Sequence, residues 1–80
     1  MKRSRETIIK EILNTCTGGA TKTRIVYQAN LNFRTVNPYL ELLMSNDLIA
    51  VRRDPHIVYE TTEKGLKLMQ SLNSIQTALS

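Results

Sequence analysis

The sequence has few of the residues on which most catalytic and metal sites depend. Its 80 residues include one cysteine, Cys16, one histidine, His56, and no tryptophan. A single cysteine excludes an internal disulfide and any multi-cysteine zinc site. His56 has no second histidine to join it, and no paired carboxylates stand beside a nucleophile. We therefore expect a protein that is not an enzyme and that needs no metal, cofactor or small-molecule substrate.

Long hydrophobic runs are also absent. No apolar run approaches the roughly 20 residues of a membrane-spanning helix, and no apolar segment follows the basic start at residues 1–5, as it would in a secretory signal. Glycine and proline are scarce, and 41% of the residues are hydrophobic, as in folded chains. We expect one folded domain in the cytoplasm. A domain of this length is marginally stable and often gains stability from a partner chain.

Positive charge is concentrated in the first half of the chain. Residues 1–34 hold seven basic and two acidic residues, a net charge of +5, whereas residues 35–80 hold four basic and five acidic residues, a net of −1. Arg52-Arg53 is the one local basic pair in the second half. This asymmetry indicates a polyanionic partner, although basic solvated faces are common.

The helical spacing of the first group of apolar residues predicts a helix over residues 5–17. Its apolar residues share one helix face: Ile8, Ile9, Ile12, Leu13 and Cys16. Ser4 is a candidate N-cap, and Gly18-Gly19 is a candidate stop. On this face the Cys16 thiol is expected to be a small buried hydrophobe rather than a redox or catalytic group.

Two further helices are predicted around a short turn. The first runs from Thr21 to Ala29 and the second from Phe33 to Ser45, with Asn30-Leu31-Asn32 as the turn. Leu31 should fill the core, and Asn32 should cap the second helix through its side-chain oxygen. Pro38 lacks an amide hydrogen and disturbs a regular helix, and we favour a helix that begins near Asn32 and bends near Pro38. A helix that begins at Pro38, with Asn37 as its cap, is the alternative.

A β-hairpin and a last helix follow. Leu48 to Arg53 and Ile57 to Thr61 are the predicted strands, joined at Asp54-Pro55-His56. Thr62 should cap a helix from Glu63 to about Leu79, in which Gly65 permits close approach of another backbone. This order is typical of an α+β, mostly α, winged helix-turn-helix with three helices, a two-stranded wing and an extra C-terminal helix. We assign residues 1–62 to the winged domain and residues 63–80 to the C-terminal helix.

The last helix carries two sets of apolar residues. Leu66 and Met69 are placed to fill the domain core. The second set is spaced four, three and four residues apart, as in a heptad seam: Leu68, Leu72, Ile75 and Leu79. This seam either packs on the first helix of the same chain or joins two copies. We favour a homodimer, because a long terminal helix would otherwise expose several leucines.

Four stretches of the sequence carry a resemblance to a known family. They are Lys2-Arg3-Ser4-Arg5-Glu6-Thr7-Ile8-Ile9; Thr21-Lys22-Thr23-Arg24-Ile25-Val26-Tyr27-Gln28-Ala29-Asn30-Leu31; Tyr39-Leu40-Glu41-Leu42-Leu43 with Leu48-Ile49; and Tyr59-Glu60-Thr61-Thr62-Glu63-Lys64-Gly65. The chain resembles the small archaeal winged-helix proteins, which include predicted transcriptional regulators and dimeric chromatin-type DNA-binding proteins. The resemblance implies DNA binding through the second helix of the motif and the wing, and dimerisation through the C-terminal helix. Thr61 departs from the family, which usually has an aliphatic residue there.

Seven residues are the candidate DNA contacts. Arg34, Thr35 and Asn37 should face base edges, since arginine pairs bidentately with guanine and asparagine with adenine. Lys22 and Arg24 should contact phosphates. Arg52 and Arg53 on the wing should reach the backbone or the minor groove, although strand alternation puts only one of them on the outer face. For each residue the alternative is a solvated surface side chain.

Three functions are compatible with these residues. The leading one is a double-stranded DNA-binding transcriptional regulator, located in the cytoplasm on the nucleoid. The first alternative is a chromatin-type architectural protein that binds DNA with little sequence preference. The second is a protein–protein adaptor built on the same fold. Glu41 on the recognition helix mildly favours the adaptor, because its carboxylate repels phosphate.

Overall fold

The described part of the chain forms four helices and a two-stranded antiparallel wing. The computed structural model describes residues 4–53 and 55–79, and for residues 73–79 the backbone alone. The elements follow in chain order: α1 Arg5–Thr15, α2 Lys22–Gln28, α3 Phe33–Ser45, β1 Ile49–Arg52, β2 Val58–Thr61 and α4 Glu63–Leu79. This order confirms the predicted winged helix-turn-helix with its additional C-terminal helix. The observed ends lie within two residues of the predicted ones.

Each helix begins at a polar side chain that accepts a backbone N–H. This bond satisfies one of the donors that the first turn of a helix leaves open. The bonds run from Thr7 N to Ser4 Oγ at 3.1 Å, from Arg24 N to Thr21 Oγ1 at 3.3 Å, from Thr35 N to Asn32 Oδ1 at 2.7 Å, and from Gly65 N to Thr62 Oγ1 at 3.1 Å. All four caps predicted from the sequence are confirmed.

Helices α2 and α3 end in the same way. After each helix one non-glycine residue turns into the left-handed region, Asn30 at φ 54° and Asp47 at φ 59°. The next residue then donates its N–H back into the last turn, from Leu31 to the Val26 carbonyl and from Leu48 to the Leu43 carbonyl, both at 2.9 Å. This is the Schellman ending, which usually has glycine at the left-handed position.

Helix α1 ends two residues earlier than predicted, with Cys16 as its C-cap. At this end two threonine hydroxyls bind one of the last carbonyls of the helix. Thr61 Oγ1 donates to the Leu13 carbonyl at 2.6 Å, and Thr17 Oγ1 donates to the same oxygen at 3.0 Å. The Cys16 carbonyl accepts the Gly19 N–H at 2.9 Å. Side chains and turn residues therefore replace the helical donors at this end.

Pro38 lies inside α3 and does not begin it. The helix starts at Phe33 with Asn32 as its cap, as the favoured interpretation has it. The alternative start at Pro38 is wrong. Pro38 has no N–H to give to the Arg34 carbonyl one turn earlier. The apolar face of α3, with Val36, Leu40 and Leu43 all buried, compensates for this missing bond by packing on the core.

One contact between the wing and the helical part was not revealed by the sequence. Strands β1 and β2 pair from Ile49–Thr61 to Arg52–Val58. Ala20, in the loop between α1 and α2, pairs with Tyr59 on the other edge of β2. Their two N–H to carbonyl bonds are each 2.8 Å long. The N–H and the carbonyl of Tyr59 on the outer edge of β2 are thus hydrogen-bonded within the chain.

The core lies between the helices and the inner face of the wing. Eleven buried residues form it: Ile12, Leu13, Cys16, Ala20, Ile25, Ala29, Val36, Leu40, Leu43, Ile49 and Tyr59. Helix α4 packs on α1 and β2. Its Gly65 faces the Leu48 carbonyl so closely that an added Cβ would collide with that oxygen. This confirms the expected close approach of a second backbone. No helix of the described residues is long and apolar enough to cross a membrane.

Candidate nucleic-acid interface

Helix α3 turns one side to the core and leaves the other exposed. Its buried residues recur three and four positions apart, so the residues between them point away from the core. The exposed residues of this helix include Arg34, Thr35, Asn37, Pro38, Glu41 and Leu42. The three residues predicted to contact bases are therefore at the surface of the second helix of the helix-turn-helix.

The structure brings two predicted contact residues from different helices together. Lys22, the first residue of α2, donates from Nζ to Asn37 Oδ1 on α3 at 2.8 Å. An amide oxygen has a second lone pair, and the amide nitrogen retains its donors. Pairing with adenine uses both the oxygen and the nitrogen of asparagine. Lys22 therefore orients the Asn37 amide and shares its oxygen. Arg24, two residues further along α2, is exposed.

The arginines of the wing are both exposed, but only one lies in a strand. Arg52 is the last residue of β1, and its Nε lies 3.3 Å from Glu60 Oε1 on β2. The Arg52 side chain is still 62% exposed, so this ion pair is a weak one. Arg53 lies after the strand end and is exposed too. Strand alternation does not apply to Arg53, because β1 is one residue shorter here than predicted.

A groove that the sequence did not indicate runs along the other edge of α3. It has a volume of about 460 Å³ and lies between this helix and the start of α1. Its walls are Arg5, Thr35, Pro38, Tyr39 and Leu42. The helical spacing of α3 places the apolar Leu42 outside the buried face, so the sequence alone could have marked it as an exposed leucine. Nothing in the local sequence shows that Arg5 lies beside it, because that contact joins residues far apart in the chain.

The single cysteine lies in the core, away from this surface. Burial raises the pKa of the Cys16 thiol to about 12, and the Arg24 cation opposes that rise. A thiol with such a pKa stays protonated at neutral pH and is a poor nucleophile and metal ligand. This confirms the sequence interpretation of Cys16 as a buried small hydrophobe. Among the described residues no three His, Cys, Asp or Glu side chains are grouped to hold a metal ion.

The predicted dimer seam is described only in part. Leu68 and Met69 are half-buried and pack against the core of their own chain. Leu66 and Leu72 are half-buried as well. The side chains of Ile75 and Leu79 lie outside the described residues. Leu68 therefore belongs to the protomer core, whatever further contact it makes.

A helix-turn-helix with an exposed second helix, followed by an antiparallel wing, defines the winged-helix class of proteins. The comparison with known families agrees with this geometry. Residues 2–80 match the model of the winged helix-turn-helix family, and the chain belongs to that family. The resemblance seen in the sequence is confirmed, since the related proteins come from archaea.

Two relatives come from Methanocaldococcus jannaschii. The chain is 42% identical over 72 residues to the uncharacterized protein MJ0287, a match that covers 89% of this chain and 71% of the relative. It is 34% identical over 76 residues to the uncharacterized protein MJ0290, covering 94% of this chain but 35% of that protein. The chain thus spans about a third of the length of MJ0290.

A solved structure has the same fold. The crystal structure of Sso10a-2, a DNA-binding protein from Sulfolobus solfataricus, superposes with a TM-score of 0.86 at 26% sequence identity. The superposition covers 95% of this chain and 81% of Sso10a-2.

Proposed function

We propose that this chain binds double-stranded DNA, with α3 in the major groove and the wing against the backbone or the minor groove. The observation that carries the proposal is the exposed side of α3, with Arg34 and Asn37, held by a helix-turn-helix whose α2 places Lys22 against it. A helix in this position fits the major groove. The likeness to Sso10a-2, a DNA-binding protein, supports the same function.

The proposed contacts divide by their chemistry. Arg34, Thr35 and Asn37 face base edges, where arginine prefers guanine and asparagine prefers adenine. Lys22 and Arg24 on α2 contact phosphates, and Lys22 also holds the Asn37 amide in place. On the wing, Arg52 and Arg53 supply two further cations. Phosphate contacts position the protein, and base contacts give it sequence preference.

We further propose that the protein acts as a transcriptional regulator on the nucleoid and binds as a homodimer through α4. Two copies related by a twofold axis present two α3 helices to two half-sites. The seam of Leu72, Ile75 and Leu79, extending from Leu68, supports this arrangement by its heptad spacing.

An architectural DNA-binding protein is the second candidate, and one contact favours it. Lys22 takes part of the hydrogen-bonding capacity of Asn37. This contact reduces the number of polar groups available for base recognition. A protein with few base contacts binds mainly through phosphates, and its affinity then falls steeply with salt.

Binding to a random-sequence duplex and to a pool of genomic fragments, each over a salt series, tests the proposal. Selective binding to a few fragments that survives added salt is the result expected of a regulator. Uniform binding that collapses with salt would favour the architectural protein. No binding to either DNA at low salt would contradict DNA binding and leave the adaptor function in its place.

A further inference from the structure

The exposed side of α3 includes two different rows of residues. Arg34 and Glu41 lie seven residues apart, two turns along one row, and both are charged. A second row lies beside the first and consists of Thr35, Pro38 and Leu42. These three residues share one helix face because they are three, four and seven positions apart. We call the second set the apolar row. It forms one wall of the groove of about 460 Å³ described above.

The apolar row is exposed to solvent on the helix that would enter the major groove. Leu42 is 40% exposed, although leucines at neighbouring positions of α3 are buried. Pro38 is exposed as well, and it leaves the helix without one backbone bond. The packing of the core does not account for the exposed Leu42, and helix propensity does not account for Pro38.

The charge around the groove suits DNA. The lining residues include no carboxylate, and Arg5 on α1 is the one charged group among them. Arg5 lies in the first turn of its helix, where a cation meets the positive end of the helix dipole at a small cost. Helix stability therefore does not explain Arg5. A guanidinium beside a major-groove helix is well placed for a phosphate.

Apolar groups have one partner among the base edges of the major groove. Thymine alone displays a methyl group there, at C5, and hydrogen-bond donors and acceptors make up the rest of the pattern by which the bases are distinguished. From the groove and this chemistry we infer that the apolar row recognises thymine methyl groups, with Arg5 on the adjoining phosphate. The inference rests on the proposed DNA binding, which it deepens by naming the base that this row selects.

Uracil-substituted DNA tests the inference directly. Two duplexes of one mixed sequence are compared at the same salt concentration, one with thymine and one with deoxyuridine at every thymine position. Only the C5-methyl groups differ between them. Burying one methyl group corresponds to about a fourfold change in affinity. The wild type should therefore bind the thymine duplex about fourfold more tightly, or more if several methyl groups are contacted.

Three variants locate the effect. Leu42→Ala should weaken binding to the thymine duplex and leave binding to the uracil duplex nearly unchanged. The ratio of the affinity for the thymine duplex to that for the uracil duplex then approaches one. Arg5→Ala should weaken binding to both duplexes equally and lower the salt slope by about one unit. Ile57→Ala is the matched control, since Ile57 is an exposed aliphatic residue in the loop of the wing, outside the groove and outside α3. It should leave the ratio unchanged.

The outcomes separate this inference from the proposed function. Equal affinity of the wild type for both duplexes would overturn thymine recognition while leaving DNA binding intact. A ratio that Leu42→Ala does not change would overturn the assignment to this groove. No binding to either duplex at low salt would overturn the proposed function and this inference together.

Discussion

Single side chains supply hydrogen bonds to backbone groups where the helices and strands end. Thr61 is buried at a position that the family usually fills with an aliphatic residue, and its hydroxyl donates to the Leu13 carbonyl at 2.6 Å. Its N–H donates to the Cys16 carbonyl at 3.0 Å. An aliphatic residue would supply the same N–H but no hydroxyl, so the departure from the family is explained by the Leu13 carbonyl at the end of α1, which the hydroxyl binds.

Gly65 is required by the close contact of α4 with the chain ahead of β1. A Cβ at this position would collide with the Leu48 carbonyl oxygen and lie 2.7 Å from Thr61 Cγ2. Helix propensity favours alanine by about 1 kcal/mol, but a backbone carbonyl cannot yield as a flexible side chain does. We expect Gly65→Ala to lower the free energy of unfolding by about 1–3 kcal/mol in urea titrations. Lys64→Ala, on the exposed side, should change it little. Equal stability of both variants would contradict the close contact.

The buried Cys16 thiol makes the stability depend on pH in the alkaline range. Burial raises its pKa from the usual 9.0 to about 12 in the folded protein. Between these values the unfolded chain loses a proton that the folded chain keeps. The contribution of this group is therefore complete below pH 9 and is lost as the pH rises towards 12.

The measurement compares the free energy of unfolding of the wild type and Cys16→Ala from pH 8 to pH 11. We expect the wild-type value to fall more steeply with pH than that of the variant. Other titrating groups are common to both proteins and cancel in the difference. Parallel curves for the two proteins would show that the folded thiol titrates normally.

Arg34 is the exposed residue of α3 best suited to guanine. Arg34→Ala should weaken binding to a specific duplex by about tenfold or more and leave the far-ultraviolet spectrum unchanged, because the residue is exposed. Arg34→Lys keeps the charge and loses the bidentate geometry, so it should retain binding to random DNA. Unchanged affinity of Arg34→Ala at low salt would remove the residue from the contact set.

At the scale of elements, the turn between α2 and α3 sets the geometry of the interface. Asn30 ends α2 in the left-handed region, and Asn32 begins α3 by accepting the Thr35 N–H at 2.7 Å. Between them Leu31 packs against the core. Three residues thus stop one helix, anchor the turn and start the next helix. The local sequence predicts this element well because every bond involved is short in range.

Asn32→Ala should loosen the start of α3. The loss of one N-cap costs about 1 kcal/mol, which corresponds to a fall in melting temperature of about 4–8 °C for a domain of this size. Asn32→Asp keeps the oxygen acceptor and adds a charge that suits a helix N-terminus, so it should melt near the wild type. If the alanine variant melted like the aspartate variant, the cap would contribute nothing to stability.

The bounds of the wing were predicted less well than those of the turn. Both strands are shorter than expected, and the pairing of Ala20 with Tyr59 was not predicted. Ala20 stands alone between a double glycine and a helix cap, where no alternation of apolar and polar residues indicates a strand. Its partner lies 39 positions away in the sequence. Contacts of this range depend on how the helices pack, and local patterns do not encode them.

At the scale of the whole molecule, association through α4 is the main prediction. Replacing Leu72 and Ile75 together with aspartate should give monomers in light scattering, because buried carboxylates in an apolar seam are strongly unfavourable. Ser71→Asp adds a charge at an exposed neighbouring position and should leave the dimer intact. A wild type that is already monomeric, or a double variant that stays dimeric, would contradict the seam.

The sequence by itself determined the class of this protein. Helix periods, caps and turn residues are local properties, so they predicted the element order, all four N-caps and the buried state of Cys16. Only the tertiary structure decided which distant groups meet: Lys22 with Asn37, Ala20 with Tyr59, and Arg5 with the apolar row of α3. These contacts depend on the packing of whole elements around one core, and packing is a collective property that no single segment carries.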